Sequence, residues 1–143
     1  MKRLTIALII ICGFLALNAQ AQTSGPQKLR ATIPFSFNVG DKTLPAGVYT
    51  VAVVNPASDR KVLQIRSADG HASAIIQTTL SRASVADEAK LVFRRYGQQY
   101  FFAQAQLAGE PTSLSAARSR AERSTRRTLA RTGESTVVTV VAH

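Results

Sequence analysis

The sequence predicts a mainly β fold: a single antiparallel β-sandwich or small barrel of about 6–7 strands, with one C-terminal α-helix followed by a final strand. Three observations support this prediction. Apolar and polar residues alternate from Ala31 to Val39, short β-branched segments are separated by turn residues, and only residues 114–131 are rich in Ala, Ser and Arg. A chain of 143 residues can bury one core, so we expect one domain.

The N-terminus has the pattern of a secretory signal peptide. Lys2 and Arg3 precede the apolar run Leu4–Leu17, and small residues lead to Ala21. This order of charge, apolar run and A-x-A pattern predicts a cleavable signal peptide over residues 1–21, and export to the periplasm or the extracellular space. The run of about 14 residues is shorter than the ~20 that span a bilayer, so we expect no stable membrane span after cleavage.

Cleavage would leave residues 22–28 as a flexible lead-in and residues 29–143 as the β domain. It would remove Cys12, the single cysteine, so the mature domain is predicted to lack disulfides and cysteine metal sites. Basic residues outnumber acidic ones by 18 to 8 in the full chain and, without Lys2 and Arg3, by 16 to 8, a net charge of +8. An electrostatic partner should therefore be anionic.

The alternation over Ala31–Val39 predicts a first strand with one apolar face on the core. Pro34 cannot donate a ladder hydrogen bond, which favours an edge position or a bulge. Turns are predicted at residues 40–42 and 45–47, from their Gly, Asp and Pro residues. The next strand, Val48–Asn55, is apolar on both faces and should lie centrally.

Two hairpins are predicted next. Lys61–Arg66 should pair with Ala72–Leu80 around the turn residues Asp69 and Gly70. Lys90–Arg95 should pair with Gln99–Leu107.

Alternation within the last hairpin predicts which of its aromatic rings face the core. Phe93 and Phe101 are expected inside the core. Tyr100 and Phe102 are then expected on the opposite face, as an exposed aromatic patch for a sugar ring or a protein partner.

Residues 114–131 are predicted to form the helix, with Thr112 or Ser113 as its N-cap. On this helix Leu114, Ala117, Ala121 and Thr128 would share one side. The opposite side would carry a stripe of four arginines, because each residue advances about 100°. These residues are Arg120, Arg123, Arg127 and Arg131. Gly133 would end the helix, and residues 135–142 should add a final strand that is covered on both faces.

Four sequence motifs resemble a family of small secreted β-rich proteins of acidobacterial-type soil bacteria, a family with no established function. They are F-x-V-G at 37–40, L-P-A-G-x-Y at 44–49, K-L-V-F-x-R-Y-G at 90–97 and S-R-x-E-R at 119–123. The likeness spans about residues 29–130. It implies an exported, mostly β domain with a helix near its C-terminus, and it implies no activity and no site residues.

The chain offers few residues for catalysis or metal binding. His71 and His143 are its two histidines, and no G-x-S-x-G pattern accompanies the serines. Asp87 and Glu88 form the one adjacent carboxylate pair and are expected to be solvated. We therefore predict no catalytic residues, no metal site and no cofactor.

Two functions fit these observations. The first is an exported, non-enzymatic structural or interaction domain of the cell envelope or extracellular space. The alternative is a module that binds anionic polymers through the arginine stripe, such as lipopolysaccharide phosphate, acidic polysaccharide or extracellular DNA. The expected partner is accordingly an anionic surface polymer or an envelope protein. The alternative that the arginine stripe is only solvated and binds nothing is also left open by the sequence.

Overall fold

The computed structural model describes residues 27–129 and 135–143 as one β-sheet and one helix. The strands are β1 (Lys28–Ile33), β2 (Phe37–Val39), β3 (Lys42–Leu44), β4 (Gly47–Val53), β5 (Lys61–Ser67), β6 (Ser73–Arg82), β7 (Ala89–Tyr96), β8 (Gln99–Gln106), β9 (Thr112–Ala116) and β10 (Ser135–Ala142), and the helix is α1 (Arg120–Leu129). The mainly β class, the single C-terminal helix and the final strand are confirmed. The predicted number of strands is wrong, because the sheet has ten strands and is open. The predicted signal peptide lies outside the described residues.

The sheet follows the order β1-β4-β5-β6-β9-β8-β7-β10, and every neighbouring pair in this series is antiparallel. β2 lies parallel to β8 at a single position, and β3 pairs with β2. Arg30 and His143 exchange two backbone hydrogen bonds of 2.8 and 2.9 Å. The first and last strands of this series therefore contact each other just beyond the end of β10, but among the described residues no ladder pairs β1 with β10 and the sheet stays open.

The segment predicted as one strand over Ala31–Val39 forms two strands. Pro34 lies directly after β1, and the chain resumes pairing only at Phe37, where β2 begins. β1 pairs with β4, whereas β2 pairs with β8. The predicted inward row is confirmed, because Ala31, Ile33, Phe37 and Val39 are all buried. Pro34 interrupts the strand because it has no N–H to contribute, while the side-chain alternation continues across the interruption.

The turn region after β2 contains a short strand, β3, that turn residues alone did not predict. Two residues of the L-P-A-G-x-Y motif bond to each other here: the buried Tyr49 hydroxyl donates a 2.7 Å hydrogen bond to the carbonyl of Pro45. Burial raises the pKa of Tyr49 above its ordinary value. The motif therefore stabilises the entry into β4, which lies centrally between β1 and β5 as predicted.

The hairpin around Asp69 and Gly70 is confirmed by the pairing of β5 with β6. Gly70 has φ 78°, a left-handed conformation that glycine adopts without steric cost. The Asp69 carboxylate accepts a 2.5 Å hydrogen bond from the Ser67 hydroxyl and one of 3.0 Å from the His71 backbone N–H. These two bonds lower the pKa of Asp69. Asp69 therefore organises the turn.

The hairpin of β7 and β8 contains a bulge that changes which side chains reach the core. Val92 pairs with Gln104 but Phe93 pairs with Phe102, so Ala103 is an extra residue in β8. Because one extra residue reverses the facing of all side chains beyond it, Phe102 faces inward. It is 2% exposed, with its ring 6.0 Å from that of Phe93.

The predicted exposed patch of Tyr100 and Phe102 is therefore wrong. Tyr100 is half-buried and stacks on Phe35, with ring centroids 3.9 Å apart. Phe101 instead lies on the opposite face against Tyr96, at a centroid distance of 5.9 Å. The core is thus centred on an aromatic cluster in which Phe37 contacts both Tyr49 and Phe93 edge to face.

The predicted helix start is also wrong, because Leu114 lies in β9. This strand pairs with both β6 and β8, so Thr112 and Ser113 are strand residues and not N-caps. The helix begins only at Arg120. Backbone pairing on two sides satisfies the polar groups of β9 better than the end of a helix could.

The final strand pairs with β7 over all eight of its residues. Its outer face is uncovered, since Val137 is 68% exposed and Val141 is 45% exposed. The expectation that this strand is covered on both faces is wrong.

Candidate anion-binding surface

The N-terminus of α1 is capped by two side chains. The Ser119 hydroxyl accepts a 3.1 Å hydrogen bond from the backbone N–H of Glu122, the N-cap geometry. From the turn after β2, the Asp41 carboxylate accepts a 3.2 Å hydrogen bond from the N–H of Ala121. A negative charge at this end also complements the helix dipole. The start of the helix is therefore fixed against the sheet.

Glu122 is the buried contact between α1 and the sheet. It is 1% exposed. Its carboxylate accepts hydrogen bonds from Arg94 Nε at 2.5 Å and Arg94 Nη2 at 3.0 Å, and from the Tyr96 hydroxyl at 3.0 Å. Arg94 Nη2 also reaches the carbonyl of Ala116, at 3.4 Å. This bidentate arrangement compensates the desolvation of the carboxylate.

Arg118 adds a second cation to the same carboxylate. Its Nε lies 3.5 Å from Glu122 Oε1, and its side chain is 47% exposed. A hydrogen bond with the Tyr96 side chain raises the pKa of Arg118, so the guanidinium stays charged. The single acidic residue of α1 is thus occupied by sheet and loop arginines.

The inward face of α1 differs from the predicted one. Glu122 is buried, and Thr125 and Leu129 are half-buried, whereas Ala121 and Thr128, which were expected to pack on the sheet, are exposed. The Thr125 hydroxyl donates a 3.1 Å hydrogen bond to Gln99 Oε1. The helix therefore docks on the β7–β8 turn mainly through polar contacts.

The outward face carries the arginine stripe. Arg120, Arg123 and Arg127 are exposed, and we call these three residues the arginine face; Arg131 lies outside the described residues. Arg126, in the last turn of the helix, is exposed too. With four arginines and one glutamate, α1 has a net charge of +3. Because Glu122 points inward, all charged side chains on its solvent side are cationic.

The arginine face has almost no competing partners within the protein. Among the described residues, the ion pairs at α1 are those of Arg94 and Arg118 with Glu122. Arg123 Nη1 donates a 2.8 Å hydrogen bond to the carbonyl of Arg118, which leaves further N–H donors on the same guanidinium. The three guanidiniums can therefore bind phosphate, sulfate or carboxylate groups.

Sequence patterns did not identify the contact of Arg94 and Tyr96 with Glu122, although the sequence contained a signal for the helix start at which Glu122 lies. Ser119 and Glu122 form the S-x-x-E spacing of a capping box, which marks the true helix start. Two of the family-like motifs, at 90–97 and 119–123, come together in this contact. Their meeting depends on tertiary structure and could not be read from either motif alone.

The other polar residues considered from the sequence do not converge. His71, Asp87 and Glu88 are exposed. Within residues 27–129 and 135–143, no three His, Cys, Asp or Glu side chains group as a metal site would require. In the same part of the chain, no helix combines the length and hydropathy of a membrane span.

Comparisons of the chain with protein-family models, with curated proteins and with solved structures found no match. Its function is therefore inferred from its own residues.

Proposed function

We propose that the protein is an exported, non-enzymatic interaction domain that binds anionic polymers through the arginine face of α1. The observation that carries the proposal is the exposure of Arg120, Arg123 and Arg127 on a helix whose single acid, Glu122, is buried. The pattern of residues 1–21 and the resemblance to a family of secreted proteins support export.

A polymer fits this face better than a single small anion does. Arg120 and Arg127 are seven residues apart, which places them about 10 Å from each other along the helix axis. One phosphate or carboxylate cannot bridge that distance, whereas successive charges of a polymer can contact all three arginines. Each contact on a solvated face contributes little alone, so affinity requires several contacts at once.

The binding should depend steeply on salt. Three neutralised phosphates predict a log–log slope of about −2.7, so raising the salt from about 50 to 200 mM should weaken binding to duplex DNA about 40-fold. Fluorescence anisotropy with a labelled duplex would measure this, and heparin and alginate would test whether sulfate or carboxylate polymers compete better. Failure of wild type to bind any of the three at the lower salt concentration would refute the proposal.

A charge-matched pair of variants separates the arginine face from net charge. The test variant replaces Arg120, Arg123 and Arg127 with Gln. The control replaces three exposed cations outside α1 with Gln, namely Lys28, Lys42 and Arg60. The test variant should lose binding and most of the salt slope, and the control should keep both. Equal losses in the two variants would mean that overall charge, and not this face, determines binding.

A further inference from the structure

A mainly apolar cavity of about 810 Å³ opens at the end of the sheet remote from α1. The starts of β1, β5 and β9 and the ends of β4, β6 and β8 surround it. Its inward lining is aliphatic and includes Leu29, Val53, Leu63, Leu80, Leu107 and Leu114. α1 docks at the start of β8 and the cavity lies at the end of that eight-residue strand, about 25 Å away.

Leu80 shows that the core is open at this end. On β6 the inward row contains Ala74 and Thr78, which are buried, and Leu80 follows in the same row. Leu80 is nevertheless 56% exposed. Protein interiors normally pack without voids of this size. An aliphatic row that borders empty space is therefore suited to contact an apolar ligand.

The rim of the cavity carries a cation in the inward row of a strand. Lys61 begins β5 two residues before the buried Leu63, and its ammonium group donates a hydrogen bond to the carbonyl of Pro56. Lys28 and Glu110 are the other charged residues of the lining, so the rim has two cations and one anion, a net charge of +1. A ligand with an apolar body and a single negative charge would match both the aliphatic lining and the cationic rim.

We propose that this cavity binds a fatty acid, with the acyl chain among the leucines and the carboxylate beside Lys61. The volume lies within the range of about 300–1,000 Å³ typical of small-molecule sites, which combine an apolar lining with a few polar groups. Each methylene that enters the cavity leaves water and should tighten binding up to about fourfold. The site is independent of the arginine face, because the two lie at opposite ends of β8.

Fluorescence titration with cis-parinaric acid, followed by competition with laurate, myristate and palmitate, tests the proposal. The expected result is saturable binding with affinity rising along the series. Palmitate should also compete better than hexadecanol, which has the same chain length and no charge. Absence of saturable binding, or equal competition by all three acids, would overturn the proposal.

Two matched pairs of variants locate the site. Leu80→Asp should weaken palmitate binding at least about tenfold, whereas Ile75→Asp, on the outward face of the same strand and 65% exposed, should leave it unchanged. Lys61→Gln should remove the preference for palmitate over hexadecanol, and Lys42→Gln should keep it. Circular dichroism checks that each variant is folded. Equal effects within either pair would overturn the assignment of the site.

Discussion

Replacing Glu122 with Gln tests whether the buried carboxylate holds α1 on the sheet. The change preserves the size of the side chain but removes its charge. The glutamine amide can place its N–H₂ group towards Arg94 Nη2, where two donors would face each other. At least one of the three hydrogen bonds from Arg94 and Tyr96 is then lost, and Arg94 is left without its counter-ion.

The expected loss in the free energy of unfolding is about 3 kcal/mol. Breaking a buried ion pair costs about 3–5 kcal/mol, and a hydrogen bond to a charged group contributes about 1.5–3 kcal/mol. The Arg94 side chain is 18% exposed, so water can partly replace the lost partner and the lower figure applies. The total free energy of unfolding of a domain of this size is about 5–15 kcal/mol. The substitution should therefore lower Tm by about 10 °C.

Urea unfolding followed by far-ultraviolet circular dichroism would measure this, since the chain has no tryptophan to report by fluorescence. Glu110→Gln is the control: Glu110 is exposed, and its replacement should change the free energy of unfolding by less than about 0.5 kcal/mol. If Glu122→Gln lowers the free energy of unfolding by less than about 1 kcal/mol, the carboxylate is not a stabilising contact and the reasoning fails.

Two further predictions concern the Tyr49 turn and export. Tyr49→Phe removes the hydrogen bond to Pro45 and should cost about 1 kcal/mol. Because burial raises the pKa of Tyr49 above 10.0, the stability that Tyr49 contributes should be fully present below about pH 10 and be lost as the pH rises further. Above about pH 10, the urea midpoint of Tyr49→Phe should fall less steeply with pH than that of wild type. Equal dependence of the two midpoints on pH would contradict this prediction. Bacterial expression of the full chain should yield an exported protein that begins at Gln22 by mass spectrometry; a chain that keeps residues 1–21 would contradict the predicted signal peptide.

Local patterns predicted the inward rows and the turns. Ile33 and Phe37 face the core because period-two alternation determines the facing of a strand residue wherever one face is buried. The turn at Gly70 was predictable because few residues other than glycine adopt its backbone conformation. Both inferences depend only on neighbouring residues. The predicted inward row is therefore correct even though Pro34 divides the first strand in two.

The facing of Tyr100 and Phe102 could not be predicted in the same way. Alternation was extended across Ala103, but the bulge there inserts one residue and reverses the facing of the residues before it. Nothing in the local sequence marks the bulge, because its position depends on the register between β8 and β7. Phe102 of the predicted aromatic patch therefore lies inside the core, and the half-buried Tyr100 packs against it.

The helix start was predicted wrongly because pairing with neighbouring strands outweighed the helical spacing of the local sequence. Leu114 and Ala117 have helical spacing with Ala121, but residues 112–116 gain backbone partners on β6, and residues 113–115 also gain partners on β8. The shorter helix that remains has only ten residues, a length that is marginal in isolation. Its position must then depend on contacts with the sheet.

Those contacts connect the stability of the fold to the proposed function. Glu122 is the residue of α1 that reaches Arg94 and Tyr96, and it is also the single acid of the helix. Its inward position docks the helix and at the same time removes the single negative charge of α1 from the arginine face. A glutamate on the outer face would satisfy neither requirement, because it would leave Arg94 unpaired and would compete with a polyanion for Arg123. The same side chain therefore positions the arginines and, in the proposed function, also affects how strongly they attract an anionic polymer.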